Sequence, residues 1–153
     1  MDSEKLFQLV NKCFHLKFKF RGVFAADQFP ILESQSFLIV NTDSSILPGS
    51  HWCLLCNKED TIYYADPLGF APENYSTLYQ RLCQQYNKIY QIQRDKPVQT
   101  LNSQLCGLFC IYIAHAVFTT DTFQYVLYMN DDDLLRFALH MLQFIFLSTL
   151  FQD

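Results

Sequence analysis

The sequence predicts an α+β domain in which a small sheet lies between helices. Three observations carry this reading. Hydrophobic residues make up 50% of the 153 residues and charged ones only 17%, enough apolar surface for one core in a chain of this length. Short alternating runs occupy the middle of the chain, whereas helix-period or wholly apolar runs occupy its two ends. No repeat, low-complexity stretch or Gly/Ser-rich linker interrupts it, so residues 1–153 are expected to form a single domain.

The elements follow in order. Leu6, Leu9, Val10, Cys13 and Phe14 recur at helical spacing, which predicts an opening amphipathic helix with Ser3 as its N-cap. Residues 22–30, after a short alternating segment, read as a loop. Residues 36–41, 51–56 and 61–65 suit adjacent strands, and the turn-rich pieces between them (47–50 and 57–60) suggest an antiparallel meander. Asn74 or Ser76 is expected to cap a helix carrying Leu78, Tyr79, Leu82 and Tyr86, and residues 88–93 alternate as a strand. Residues 105–118 form an almost wholly apolar helix. A shorter helical segment around 123–128 follows, and Asp131, Asp132 and Asp133 place negative charge at the positive end of a last helix.

Composition narrows the function. A net charge of −4 argues against a general attraction to nucleic acid or anionic lipid, and the basic runs 17–21 and 94–96 read as solvated edges. The polar N-terminus lacks the apolar run of a secretory signal. Arg136, His140 and Gln143 interrupt the apolar C-terminal stretch, so an intracellular protein without a membrane anchor is expected. In that setting the six cysteines read as reduced thiols, most of them small buried hydrophobes. Cys53 and Cys56 stand three apart in a strand and point to opposite faces, which argues against a metal held between them.

One of these thiols has the setting of a nucleophile. A cysteine attacks as the thiolate, and the partial positive charge at a helix N-terminus lowers its pKa. Cys106 opens the apolar helix, and Gly107 beside it leaves the backbone open to a substrate carbonyl. The alternative is a thiol that merely starts a buried helix. Of the four histidines, His115 lies nine residues further along the same helix, rotated by about 180° and displaced by ~13 Å, so it is excluded as the base. His15 and His140 sit in helical, apolar settings that suit structural roles. His51 begins a strand just after a tight turn, where a strand end can face a helix N-terminus, and Trp52 beside it can hold the ring.

Asp66 ends the next predicted strand, just before Pro67. In an antiparallel pair the start of one strand lies beside the end of the next, so His51 and Asp66 are expected to be neighbours. A turn-initiating Asp-Pro is the other reading of Asp66. A Gln or Asn side chain supplies a second oxyanion donor, and both Gln99 and Asn102 lie in the loop leading to Cys106.

With His51-Trp52, Asp66-Pro67-Leu68-Gly69-Phe70 and Gln99-Thr100-Leu101-Asn102-Ser103-Gln104-Leu105-Cys106-Gly107-Leu108-Phe109-Cys110 in this order, the chain resembles the adenain family of adenovirus maturation proteases over roughly residues 20–118. The order His, Asp, Gln, Cys is shared with SUMO-specific proteases and is the reverse sense of papain's, while the Gln-to-Cys spacing of seven (106 − 99) follows the adenain pattern. Residues 22–30, followed by Ile39-Val40-Asn41, look like the N-terminal block of relatives from Polinton (Maverick) transposons and adintoviruses.

The resemblance implies a papain-like core of adenain/SUMO-protease type, a small mixed sheet with a central helix carrying the nucleophile. It implies Cys106 as nucleophile, His51 as general base, Asp66 as its orienting acid, and Gln99 with the Cys106 amide as oxyanion hole. Trp52, Gly107 and Asn102 are the candidates for substrate binding. The implied activity is cleavage of precursor polypeptides, such as capsid proteins, at Gly-Gly or Gly-X sites. A deconjugase of ubiquitin-like modifiers using the same residues is the rival enzyme, and a zinc-supported interaction module on Cys53 and Cys56 is the non-enzymatic one. Asp66 stands where the adenain of human viruses has Glu, residues 87–90 contain no cysteine, and the chain is acidic. Activation by DNA or by a disulfide-linked peptide is therefore not carried over, although a peptide activator stays open. The expected protein is a monomer acting on protein substrates in the host nucleus, the cytoplasm or the virion, with no cofactor, metal, nucleic acid or membrane.

Overall fold

The computed structural model describes residues 2–13, 16–92, 97, 104–119, 132, 135–137, 139 and 140. In chain order the elements are α1 (Ser3–Lys12), β1 (Phe20–Phe24), β2 (Ser36–Asn41), β3 (Trp52–Lys58), β4 (Thr61–Ala65), a 3-10 turn (Pro72–Asn74), α2 (Ser76–Gln85), β5 (Tyr90–Gln91) and α3 (Cys106–Thr119). Among the described residues the strands form one mixed sheet in the order β1-β2-β3-β4-β5. Strands β2, β3 and β4 make the antiparallel meander that the turn-rich connections predict, while the outer strands β1 and β5 run parallel to their neighbours.

Both faces of the sheet are covered. On one, Phe37, Ile39, Leu54, Cys56 and Ala65 pack against Leu6, Leu9 and Val10 of α1 and against α3. On the other, Leu38, Val40, Cys53, Leu55 and Tyr64 pack against Leu78 and Leu82 of α2 and against Phe29 and Leu32 of the β1–β2 connection. Burial on two sides is why Phe37, Leu38, Ile39 and Val40 form an unbroken apolar run in β2, all of whose residues are buried. Helix α3 is apolar all round for a similar reason, being enclosed by β3, α1 and neighbouring segments. Each large aliphatic side chain sealed in this way contributes about 1.5–3 kcal/mol.

Several local expectations are corrected. The N-cap of α1 is Asp2, whose Oδ1 accepts from the Lys5 N–H at 2.9 Å, and Ser3 is the first helical residue. Both residue types suit the position, but the carboxylate adds a favourable charge at the helix's positive end. Tyr75, not Asn74 or Ser76, is the N-cap of α2, because Asn74 is used by the 3-10 turn, where its Nδ2 donates to the Ala71 carbonyl at 3.0 Å. The first residues of the expected 22–30 loop belong to β1, where Gly22 adopts φ 128° beside a register irregularity between Phe20 and Val23. Strand β3 begins one residue after His51 and extends to Lys58, and among the described residues of the expected 88–93 strand Tyr90–Gln91 form β5 and pair with β4.

The six cysteines are free; Cys53, Cys56, Cys106 and Cys110 are buried, Cys13 is half-buried and Cys83 exposed. Cys53 and Cys56 lie in the two opposite cores, as strand alternation requires. His15, the expected segment 123–128 and most of the expected last helix lie outside the described residues, although residues 135–137 are helical and Phe137 packs on Tyr112 with ring centroids 4.4 Å apart. No described helix is long and apolar enough to cross a membrane.

Candidate active site

The register of two strands builds the site. Leu54 of β3 pairs with Ala65 of β4, so the next position outward sets Cys53 beside Asp66. Because side chains alternate with period two, Cys53 of β3 and Tyr64 of β4 share a face, and His51 just before β3 and Asp66 just after β4 continue it. The His51 Nε2–H donates to Asp66 Oδ1 at 2.6 Å, the acceptor-only carboxylate fixing the tautomer, and both residues are buried. The Cys106 thiol, at the first turn of α3, lies within electrostatic reach of the His51 side chain and of the N–H groups of Trp52 and Gly107 and lines the same cleft as His51. With Nε2 committed to Asp66, Nδ1 is the imidazole nitrogen that serves the thiol.

Asp66 has four hydrogen-bond donors around it. Oδ1 also accepts from the Leu68 N–H at 2.7 Å, and Oδ2 accepts from the Tyr75 hydroxyl at 2.8 Å and, more distantly, from Tyr64 at 3.5 Å. The Gly69 N–H bonds the Asp66 carbonyl at 2.9 Å, with Gly69 at φ 80°. The two readings of Asp66 are thus both realised: it opens a tight turn and faces the imidazole.

Electrostatics favours an ion pair. Burial pushes the Cys106 thiol up, but the hydrogen bonds from His51, Trp52 and Gly107 outweigh it and the net shift is downward. Burial pulls His51 down, yet the hydrogen bonds to Asp66, Cys106 and Cys53 outweigh that and the net shift is upward. A lowered thiol facing a raised imidazole is the condition for a thiolate–imidazolium pair. The neighbouring thiols behave oppositely. Burial pushes Cys110 well above an ordinary thiol, and its Sγ contacts the Trp52 carbonyl at 3.4 Å. Burial likewise raises Cys53 to about 11.

The pair opens onto a cleft of about 580 Å³, bounded by the Pro48, Gly49 and Ser50 turn, Trp52, Phe70 and Gln104. Gly49 adopts φ 83°, and a Cβ there would lie 2.5 Å from Asn41 Nδ2, so the turn wall requires glycine. At Gly107 a Cβ would lie 2.3 Å from Leu6 Cδ2: the space beside the nucleophile is filled by α1 rather than left open to the cleft. Gln99 and Asn102 lie outside the described residues. Cys53, Tyr64 and Tyr75 were not foreseen as neighbours of the site; the alternation that runs from His51 to Cys53 and from Asp66 back to Tyr64 signals the first two, and nothing local signals Tyr75.

His51, Cys53 and Asp66 have potential ligand atoms within 4.8 Å of one another. Within this cluster His51 bonds Asp66 at 2.6 Å, and Cys53 Sγ and Asp66 are both in contact with the Tyr64 hydroxyl, at 3.3 and 3.5 Å.

A family profile described as adenovirus endoprotease matches residues 20–132, a span that includes His51, Asp66 and Cys106. The chain is similar to the protease of Bovine adenovirus B serotype 3, with 33% identity over 104 residues, covering 55% of this chain and 48% of that protein. It therefore spans about half the length of the curated relative it matches. Among solved structures it is similar to a crystal structure of the ASFV protease, with 18% identity and a TM-score of 0.39, covering 69% of this chain and 43% of that one. The mixed sheet with the Cys106-bearing helix packed on it agrees with the adenain-type core expected from the sequence.

Proposed function

The chain belongs to the adenovirus endoprotease family, and on that premise we propose that it is a cysteine endopeptidase with Cys106 as nucleophile, His51 as general base and Asp66 as the group that orients and charges the imidazole. The observation that carries the reading is the 2.6 Å hydrogen bond between His51 and Asp66 with Cys106 beside His51 on the same cleft.

The thiolate attacks the scissile carbonyl carbon, and the oxyanion that forms is met by the Cys106 N–H, one of the amides a helix start leaves without an intrahelical partner. Gln99 is the proposed second donor. The imidazolium gives its proton to the leaving amine, leaving a thioester on Cys106. Water, deprotonated by His51, then attacks the thioester, releasing the carboxylate product and the thiol. Asp66 orients and stabilises the imidazolium in each half.

We propose precursor polypeptides, such as capsid proteins of a virus or a Polinton-type element, as substrates, with cleavage at Gly-Gly or Gly-X sites and with Trp52, Gly107 and Asn102 contributing to the substrate cleft. The site of action is the interior of the host cell or the virion, and the working form is a monomer. A thiol-reactive peptide probe ending in Gly-Gly tests the chemistry: it is expected to modify wild-type protein at Cys106 and to be lost in Cys106→Ala and His51→Ala. Equal labelling of wild type and Cys106→Ala would sink the protease reading. Preference for ubiquitin-like fusions over capsid precursors would shift it to a deconjugase.

A further inference from the structure

The torsion that orients an aspartate's carboxylate is broad and roughly two-fold, so the group needs outside partners to hold one oxygen on an imidazole. Asp66 divides its partners cleanly: His51 and the Leu68 N–H on Oδ1, phenols on Oδ2. The two phenols are not equivalent. Tyr64 stands 3.5 Å away and also contacts Cys53 Sγ at 3.3 Å, whereas Tyr75 is at 2.8 Å, the distance of a charge-assisted O–H bond.

Tyr75 is itself held firmly. Its N–H closes the 3-10 turn on the Pro72 carbonyl at 3.0 Å, and its carbonyl accepts the Tyr79 N–H at 2.8 Å as α2 begins. Its ring lies 6.1 Å from the His51 imidazole, centroid to centroid, and lines the cleft. The phenol thus stands between Asp66 and the water of the cleft. Burial, and then the bond to Asp66, raises its pKa, so it remains a donor wherever the thiolate–imidazolium pair exists.

Given the protease reading of Cys106, His51 and Asp66, we propose that Tyr75 is a positioning residue for the reaction: its hydroxyl, anchored at the start of α2, fixes the Asp66 carboxylate so that Oδ1 stays on His51 and the ion pair stays charged. It touches neither the reacting thiol nor the scissile bond and acts through Asp66 alone.

Tyr75→Phe tests this, since it removes one oxygen and leaves the ring that packs. The measurement is the pH profile of Cys106 alkylation by iodoacetamide, with the adduct located by mass spectrometry, for wild type, His51→Ala, Tyr75→Phe, Asp66→Asn and Tyr75→Phe/Asp66→Asn. A carboxylate held less firmly on His51 stabilises the imidazolium less and keeps the Cys106 thiolate less well, so in Tyr75→Phe the acid limb moves to higher pH and the neutral rate falls roughly tenfold. Because Tyr75 acts through Asp66, adding Tyr75→Phe to Asp66→Asn changes the rate little further. A Tyr75→Phe profile that superimposes on a His51-dependent wild-type profile overturns the role of Tyr75 while leaving the protease site intact. Multiplicative losses in the double variant overturn it too. A wild-type profile of an ordinary thiol, unchanged by His51→Ala, overturns the protease reading and the role of Tyr75 with it.

Discussion

Asp66→Asn isolates the charge of the orienting group from its shape. Two donors meet Oδ1, the His51 Nε2–H at 2.6 Å and the Leu68 N–H at 2.7 Å, and two phenols meet Oδ2. An amide offers one oxygen and one NH2. Placed with its oxygen at the Oδ1 position, Asn keeps both of those bonds and turns its NH2 toward hydroxyls that can rotate to accept; the opposite flip sets donor against donor at Leu68. The imidazole therefore keeps its tautomer and position, and what disappears is the negative charge. Hydrogen bonds to charged groups are worth about 1.5–3 kcal/mol against about 0.5–1.5 for neutral ones, a difference of about 1–2 kcal/mol or roughly tenfold in the population of the ion pair. Alkylation of Cys106 by iodoacetamide reads that population directly, because only the thiolate reacts. At neutral pH the variant is expected to react roughly tenfold more slowly than wild type. Above the ordinary thiol pKa of 9.0 the two should converge, since hydroxide then ionises the thiol unaided. Superimposable profiles at neutral pH would refute the charge argument. A loss that persists at high pH would show that the substitution had damaged the site's geometry instead.

Two further outcomes follow from packing and from the buried thiols. Gly107→Ala drives a Cβ to 2.3 Å from Leu6 Cδ2, and Leu6 is fully buried, so overpacking should destabilise the fold by about 1–3 kcal/mol in urea denaturation; Leu6→Ala in the same chain should recover part of that, and two simply additive losses would contradict the clash. Burial raises Cys53 to about 11 and Cys56 to about 12, above the 9.0 of the unfolded thiol, so their contribution is complete below pH 9.0 and is lost as pH climbs through the folded values. The urea midpoint should fall over that alkaline window and fall less steeply in Cys56→Val; a flat midpoint in wild type would show that these thiols do not titrate with unfolding.

The strands and the helix that Cys106 opens were legible because their signals are local and strong. Residues 36–41 and 61–65 match β2 and β4 end to end, and the all-apolar run from 105 onward is α3 to within one residue at each end. The parallel pairings were not legible: β1 and β5 join the sheet through long-range contacts, and β5 has only two paired residues, too few for alternation to show. Capping was ambiguous where Asp2 and Ser3, or Asn74, Tyr75 and Ser76, stood side by side, because propensity ranks residue types and cannot say which one the neighbouring turn has already used. The juxtaposition of His51 with Asp66 was legible from the antiparallel pair. Tyr75 was not, since it reaches Asp66 from nine residues away through a 3-10 turn whose direction no periodicity encodes.

Gly107 and Leu6 show how far the site extends beyond its reacting groups. Read from sequence, Gly107 keeps the backbone open beside the thiol; in the fold, the place of its missing side chain is taken by a residue of α1. Helix α1 spans Ser3–Lys12 and so lies before the span that matches the adenovirus endoprotease family, yet Asp2 and Ser3 at its start line the cleft with Cys106. A helix so placed fixes the first turn of α3 from behind, while the strand pair fixes His51 and Asp66 from the side. The thiol is aligned with the imidazole only when both supports are packed. A loosened α1 would therefore lower reactivity at Cys106 without altering the hydrogen bond between His51 and Asp66.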